Sequence, residues 1–208
     1  MGGLLHGELQ CFTTVMALNA LAIDSILPAF PALGTAFDVA SANDRQYVIS
    51  SYLMGMGIGS LFYGPIGDRI GRKPVLLGAL LFYVIFGLAC AFAPDFQTLL
   101  ILRFAQGFAA AAMGVLVVSV IRDIFAGDRM ASFMSIIFIV FMAVPVLAPT
   151  VGQLILYFAQ WQFIFILLAV MGSAVAVWVW LRLPETLRPR SEARRVGKEC
   201  RPRCSPDR

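Results

Sequence analysis

Six apolar runs divide almost the whole of this 208-residue chain, and most of its charge falls in the short segments between and after them. The runs lie near 10–32, 46–65, 74–93, 98–121, 131–158 and 161–183. Each has close to the about 20 residues that a helix needs to cross a hydrocarbon layer about 30 Å thick. Hydrocarbon offers the backbone no hydrogen-bonding partner, so a crossing segment must satisfy its own N–H and C=O groups, and a helix does this within one segment. Composition agrees. Sixty per cent of residues are hydrophobic and 13% charged, whereas a soluble domain carries about 25% charged residues to cover its surface. The sequence therefore predicts an all-α membrane protein with six transmembrane helices and no large soluble domain.

Orientation follows from the basic residues. The second connection, GDRIGRKP, holds Arg69, Arg72 and Lys73; the fourth, RDIFAGDR, holds Arg122 and Arg129; the segment after the sixth run holds Arg182, Arg188 and Arg190. The connection after the first run has only Arg45, while PDFQ and the residues around Gln160 have none. Eight basic residues against one is a positive-inside asymmetry that places both termini in the cytoplasm. Residues 1–9 read as a cytoplasmic N-terminus. They hold no Lys or Arg, unlike a cleavable signal peptide.

The net charge of +4 does not point to a nucleic-acid partner, because the 18 residues from Ser191 hold six basic and three acidic groups and so supply +3 of it. That stretch, 191–208, has no apolar periodicity. It reads either as a polybasic tail for anionic lipid or as a non-native or disordered end. Cys11, Cys90, Cys200 and Cys204 show no CxxC spacing, and His6 is the one histidine, so neither a metal site nor a cofactor is expected.

The most informative segment is GPIGDRIGRKP, Gly64 to Pro74. Gly64 and Gly67 allow a backbone turn and close helix approach, Pro74 suits the first turn of a following helix, and Asp68 and Arg72 stand four apart, within pairing distance on one helical face. A solubilising, purely topogenic loop would need the charges but not this order. The segment resembles the cytoplasmic signature of the major facilitator superfamily, G-x-L-a-D-r-x-G-r-k-x-x-l, met at Gly64, Asp68, Arg69, Gly71, Arg72, Lys73 and Leu76, with Ile66 and Gly67 at the intervening positions. The resemblance implies a conformational latch in which Asp68 and Arg72 form a charge network with an acidic residue closing span 4. Asp123 is the candidate for that residue.

Two ionisable residues lie inside apolar runs, Asp24 in LAIDSILPAFP and Arg103 in LLILRFAQGFAAAA. A charge at such a position costs at least ~2.5–3.5 kcal/mol on insertion scales and is a functional hypothesis by default. Counted from the outer ends of spans 1 and 4 at about 1.5 Å per residue, both sit roughly 10 Å below the surface. Equal depth allows an Asp–Arg pair, which either holds two helices together or serves as a proton site. The surroundings of Arg103 resemble the span-4 signature of proton-dependent drug antiporters, l-x-x-x-R-x-x-q-G-x-g-a-a, at Leu99, Arg103, Gln106, Gly107, Ala110 and Ala111, with Ala109 in place of Gly. Asp24-Ser-Ile-Leu-Pro28 resembles span 1 of the bicyclomycin/chloramphenicol-resistance type of exporter. This implies Asp24 as proton site and Arg103 as its partner. In span 5, VPVLAPTVGQ places Pro145, Pro149 and Gly152 as a hinge or a packing kink. The antiporter signature there is met at Pro149 and Gly152, while Val144, Ala148 and Gln153 depart from it, and Ala-Pro matches the bicyclomycin-type subgroup.

Other six-span chemistries fail on absent residues. An intramembrane serine protease needs a histidine within its spans, a water channel of the aquaporin type needs Asn-Pro-Ala half-helices, and neither is present, so no enzyme activity is expected. The expected fold is the N-terminal six-helix bundle of a major facilitator protein, made of two inverted three-helix repeats over residues 10–183, with the cytoplasmic linker starting at 184–190. The expected function is proton-coupled efflux of small lipophilic or antibiotic compounds by alternating access across the bacterial inner membrane. Its partners would be protons, the small-molecule substrate, the lipid bilayer and a C-terminal half that completes the cavity, with no nucleic acid. A metabolite or sugar transporter of the same superfamily, or an inactive truncated fragment, is the alternative.

Overall fold

The computed structural model describes residues 2–39, 41–124 and 127–182, all but its short turns and loops being helical. The linker start at LPETL, Arg188, Arg190 and the tail with Cys200 and Cys204 lie outside the described residues. Six long helices carry the fold: α1 (Gly2–Asp24), α4 (Tyr47–Ile70), α5 (Arg72–Ala91), α6 (Phe96–Ile124), α7 (Asp128–Phe158) and α8 (Gln162–Arg182). Two short ones, α2 (Phe30–Ala36) and α3 (Ala42–Arg45), join α1 to α4.

Among the described residues five helical stretches are long and apolar enough to cross a membrane: 10–36, 72–91, 96–123, 130–158 and 162–182. This differs from the six expected. The run read as the second span is helix α4, long enough at 24 residues but diluted by Gly55, Gly57, Gly59, Gly64, Gly67, Ser50, Ser51 and Ser60. Those residues lower its hydropathy and give it a narrow surface for close packing.

The first span is also less regular than its run suggested. Helix α1 ends at Asp24, and a 3-10 turn at Leu27–Ala29 leads into α2. Pro28 and Pro31 have no N–H to give the carbonyls of Asp24 and Leu27, so the α-helical ladder stops there. Asp24 thus sits at a break. At the far end of this connection the Arg45 guanidinium donates from Nε and Nη2 to the Val39 carbonyl, at 3.1 and 3.0 Å.

Packing follows a pattern that survives exchange of the first three long helices for the last three. Helix α4 packs on α6 as α7 packs on α1; α5 packs on α6 as α8 packs on α1; and α5 packs on α8. Two three-helix repeats related by a pseudo-two-fold axis generate this set of neighbours. The fully buried side chains include Phe12, Leu18, Tyr52, Tyr83, Met113 and Phe165. Pro145 and Pro149 lie inside α7 without ending it.

The start of α6 has a carboxylate cap. Asp95 accepts from the Thr98 backbone N–H at 2.9 Å and from the Thr98 hydroxyl at 2.7 Å, satisfying one of the N–H groups that a helix start leaves open. Both bonds favour the ionised form and hold the Asp95 carboxyl below its usual range. Because the folded form binds its proton less readily than the unfolded chain, this contribution is present above the ordinary aspartate pKa of about 3.9 and is lost as pH falls below it. Asp95→Asn, which retains an acceptor but does not titrate there, is expected to flatten that part of an acid-unfolding curve; an unchanged curve would rule the cap out as its source.

Candidate functional site

The site is built on the seam between α4 and α6. A Cβ added at Gly55 would overlap the Phe104 carbonyl oxygen, one at Gly107 would overlap the Tyr52 carbonyl oxygen, and one at Gly59 would lie 2.7 Å from the Phe108 carbonyl oxygen. Three glycines therefore bring two backbones into direct contact, and Gly55 and Gly59 have the four-residue spacing that places both on one helix face. This close approach sets the level at which Tyr52 and Arg103 meet.

Arg103 is 1% exposed, the largest of the fully buried side chains. Its guanidinium carbon lies 4.7 Å from the Phe165 ring centroid and 5.4 Å from that of Tyr52. Its Nη1 donates to the Gln106 side-chain oxygen at 3.2 Å and to the Ala22 carbonyl at 3.4 Å. Its Nε and Nη2 meet no acceptor. The Tyr52 hydroxyl in turn donates to Asn19 Oδ1 at 2.9 Å, which links this cluster to the middle of α1.

Arg103 and Asp24 do not form an ion pair; the two described here both belong to Arg72. The equal depth holds to within two residues, since Arg103 reaches the Ala22 carbonyl. Two residues correspond to about 200° of rotation about a helix axis. The Ala22 side chain is fully buried while Asp24 is partly exposed, so the carboxylate is turned away from the guanidinium.

Beyond Asn19 the bundle opens into a cavity of about 600 Å³ between α1, α4, α6 and α7. Apolar side chains dominate its wall, among them Met16, Leu53, Met56, Ile137, Phe138 and Phe141. Asn19, Ser60, Ser119 and Arg122 supply its polar groups. Sequence reasoning passed over Asn19 and Ser119, although a lone polar residue within an apolar run was the available signal. Of the methionines in the spans, Met56 lines the cavity, Met54 lines a separate groove, and Met142 is 76% exposed.

At the end of the bundle where α4 turns into α5, Arg72 pairs with Asp68 at 3.4 Å and with Asp123 across to α6. The structure thus brings together three residues read from two separate segments. The turn is made by Gly71, at φ 121° and ψ 143°, a conformation that favours glycine. It is not made by Gly64 or Gly67, which lie inside α4. Gly67 packs against Leu116, whereas a Cβ at Gly64 would meet nothing within 4 Å. Arg69 is exposed and Lys73 half-buried. Gly152 on α7 abuts the Ser25 carbonyl and Pro28, so this part of the span-5 motif packs against the break in the first span.

The family model of the Major Facilitator Superfamily matches residues 12–203. The chain belongs to this superfamily. It is 36% identical over 188 residues to a bicyclomycin resistance protein homolog of Haemophilus influenzae, covering 88% of this chain and 47% of that protein. It is 34% identical over 170 residues to a chloramphenicol resistance protein of Pseudomonas aeruginosa, covering 81% and 40%. The chain spans about half the length of the curated relatives it matches. In fold it resembles a solved major facilitator proton:xylose symporter, with TM-score 0.79 at 17% identity over 89% of this chain and 46% of that one. This superfamily chain is therefore an integral membrane protein of a transporter family, similar to drug-resistance members.

Proposed function

We propose that this superfamily chain forms the amino-terminal bundle of a proton-coupled exporter of small lipophilic or antibiotic compounds, with six spans in the bacterial inner membrane and both termini cytoplasmic. The observation that carries the reading is the wall of the cavity between α1, α4, α6 and α7. Methionine, leucine, isoleucine and phenylalanine dominate it, with few polar groups. A sugar is bound by many hydrogen bonds, whereas an amphiphilic drug needs apolar area and a few polar anchors. The drug-resistance relatives support the same class.

In this reading Asp24 is the proton site. It ends α1 at the break before Pro28, and that break is covered by Gly152 of the span-5 motif. Protonation removes an intramembrane charge and biases one packing of this joint over another. Arg103 fixes α1 to α6 from the inside, through its bond to the Ala22 carbonyl two residues before Asp24. The cluster of Asp68, Arg72 and Asp123 acts as the latch of one conformation, since its ion pairs tie α4 and α5 to α6. A second bundle would complete the cavity.

Everted membrane vesicles containing the chain together with the second bundle that completes its cavity provide the test, with chloramphenicol uptake followed under an imposed pH gradient. Uptake is expected to collapse when the gradient is dissipated, and Asp24→Asn is expected to reduce it to the level of vesicles lacking the protein. Full uptake by Asp24→Asn would remove the proton-site assignment, and uptake indifferent to the gradient would remove the exporter reading.

A further inference from the structure

Arg122 ends up in an unusual place. Positive-inside topology explains why a basic residue closes span 4, but not why it lines the cavity. It is the one charged residue in the cavity wall among the described residues. The next residue, Asp123, pairs with Arg72, so adjacent positions at the end of α6 serve different neighbours: Arg122 the cavity and Asp123 the Arg72 cluster. Asp68 belongs to that same cluster. Two carboxylates at this end of the bundle, Asp68 and Asp123, are thus engaged with Arg72, and neither of the described ion pairs involves Arg122.

We infer that Arg122 is a specificity-determining residue and that the cavity selects amphiphiles carrying an anionic or acceptor-rich polar end over lipophilic cations. This rests on the exporter reading and narrows its substrate class. The wall accepts an apolar body through Met16, Leu53, Met56, Ile137, Phe138 and Phe141. Asn19 and Ser119 offer hydrogen bonds along the wall, and the exposed Arg122 guanidinium offers several donors and no acceptor. A carboxylate, nitro or carbonyl oxygen there gains a charge-assisted bond. An ammonium there meets a like charge.

One scaffold in three charge states tests this by equilibrium dialysis at neutral pH against the full chain in mild detergent. The probes are chloramphenicol, its anionic succinate ester and its cationic deacylated amine. The parent is expected to bind the ester and the neutral compound about tenfold or more tighter than the amine. Arg122→Lys should keep that order and Arg122→Glu should invert it. Because Arg122 is exposed, neither change removes packing from the core. An order unaffected by Arg122→Glu, a preference of the parent for the amine, or no binding of any probe would overturn the proposal. If the expected order is found but no gradient-driven flux accompanies it, Arg122 keeps its role and the exporter reading fails.

Discussion

Gly107→Ala is expected to lower the melting point of the detergent-solubilised protein more than any other single-methyl addition along α6. The added carbon would overlap the Tyr52 carbonyl oxygen, and a backbone atom cannot rotate aside as the tip of a side chain can. Helices α4 and α6 would have to separate along their whole seam. The dispersion contacts made by Gly55, Gly59 and Ala111 would weaken together, because even a gap of about 0.5–1 Å forfeits a quarter to a half of each contact. Overpacking typically costs about 1–3 kcal/mol, and here the upper end or beyond is expected. Gly64→Ala and Gly78→Ala are the controls. Neither would meet an atom within 4 Å, and each replaces a helical glycine with a better helix former, so a gain of up to about 1 kcal/mol is expected. Equal melting points for Gly107→Ala and these controls would show that the close seam is not needed.

The second large effect separates stability from function. Arg103→Leu is expected to abolish gradient-driven transport while leaving the fold as stable as the parent or more so. An unpaired buried charge costs several kcal/mol in desolvation. Against that cost Arg103 has two bonds at 3.2 and 3.4 Å, about 2 kcal/mol or more from its desolvated aromatic neighbours, and two nitrogens without acceptors. The balance does not favour the charge. Leucine would fill much of the same space without it. An arginine at this position is thus not accounted for by stability, and on the exporter proposal its role is to hold the part of α1 that carries Asp24. Arg103→Lys is not expected to restore transport, since a lysine ammonium lacks the planar fork that bonds Ala22 and Gln106 while stacking on Phe165. A loss of more than about 3 kcal/mol in Arg103→Leu would instead mean that Arg103 is mainly a structural tie between α1 and α6.

The helices were legible because hydrocarbon imposes a length and an apolar composition on any segment that crosses it. The charges between the runs were legible for the same reason, and so was the Gly64–Pro74 motif, whose residues are contiguous. Asp68 and Arg72 are four apart on one chain, so their pairing was within reach of the sequence, although the Gly71 turn and not a continuous helix brings them together. Their junction with Asp123 depended on resemblance until the packing of α4, α5 and α6 placed all three at one end of the bundle. The Asp24–Arg103 pair shows the opposite outcome. Depth can be counted along a sequence, but the azimuth of a side chain depends on how two helices are rotated about their axes, and α1 presents the Ala22 carbonyl to Arg103 with Asp24 turned away. The six-run reading met a similar limit at α4, whose glycines and serines lower its hydropathy because its neighbour α6 needs a narrow surface there.

What the sequence determined by itself was the solvent, the helical class and the positions of the charged connections, because each follows from local composition and the cost of taking polar groups out of water. What only the tertiary structure decided was which faces meet. The α4–α6 contact at Gly55 and Gly107, the burial of Arg103 against Phe165, and the placing of Arg122 in the cavity wall beside Asp123 in the Arg72 cluster all depend on the rotation and spacing of helices remote in sequence. No local pattern encodes these, since they are fixed jointly by close packing of side chains on several helices.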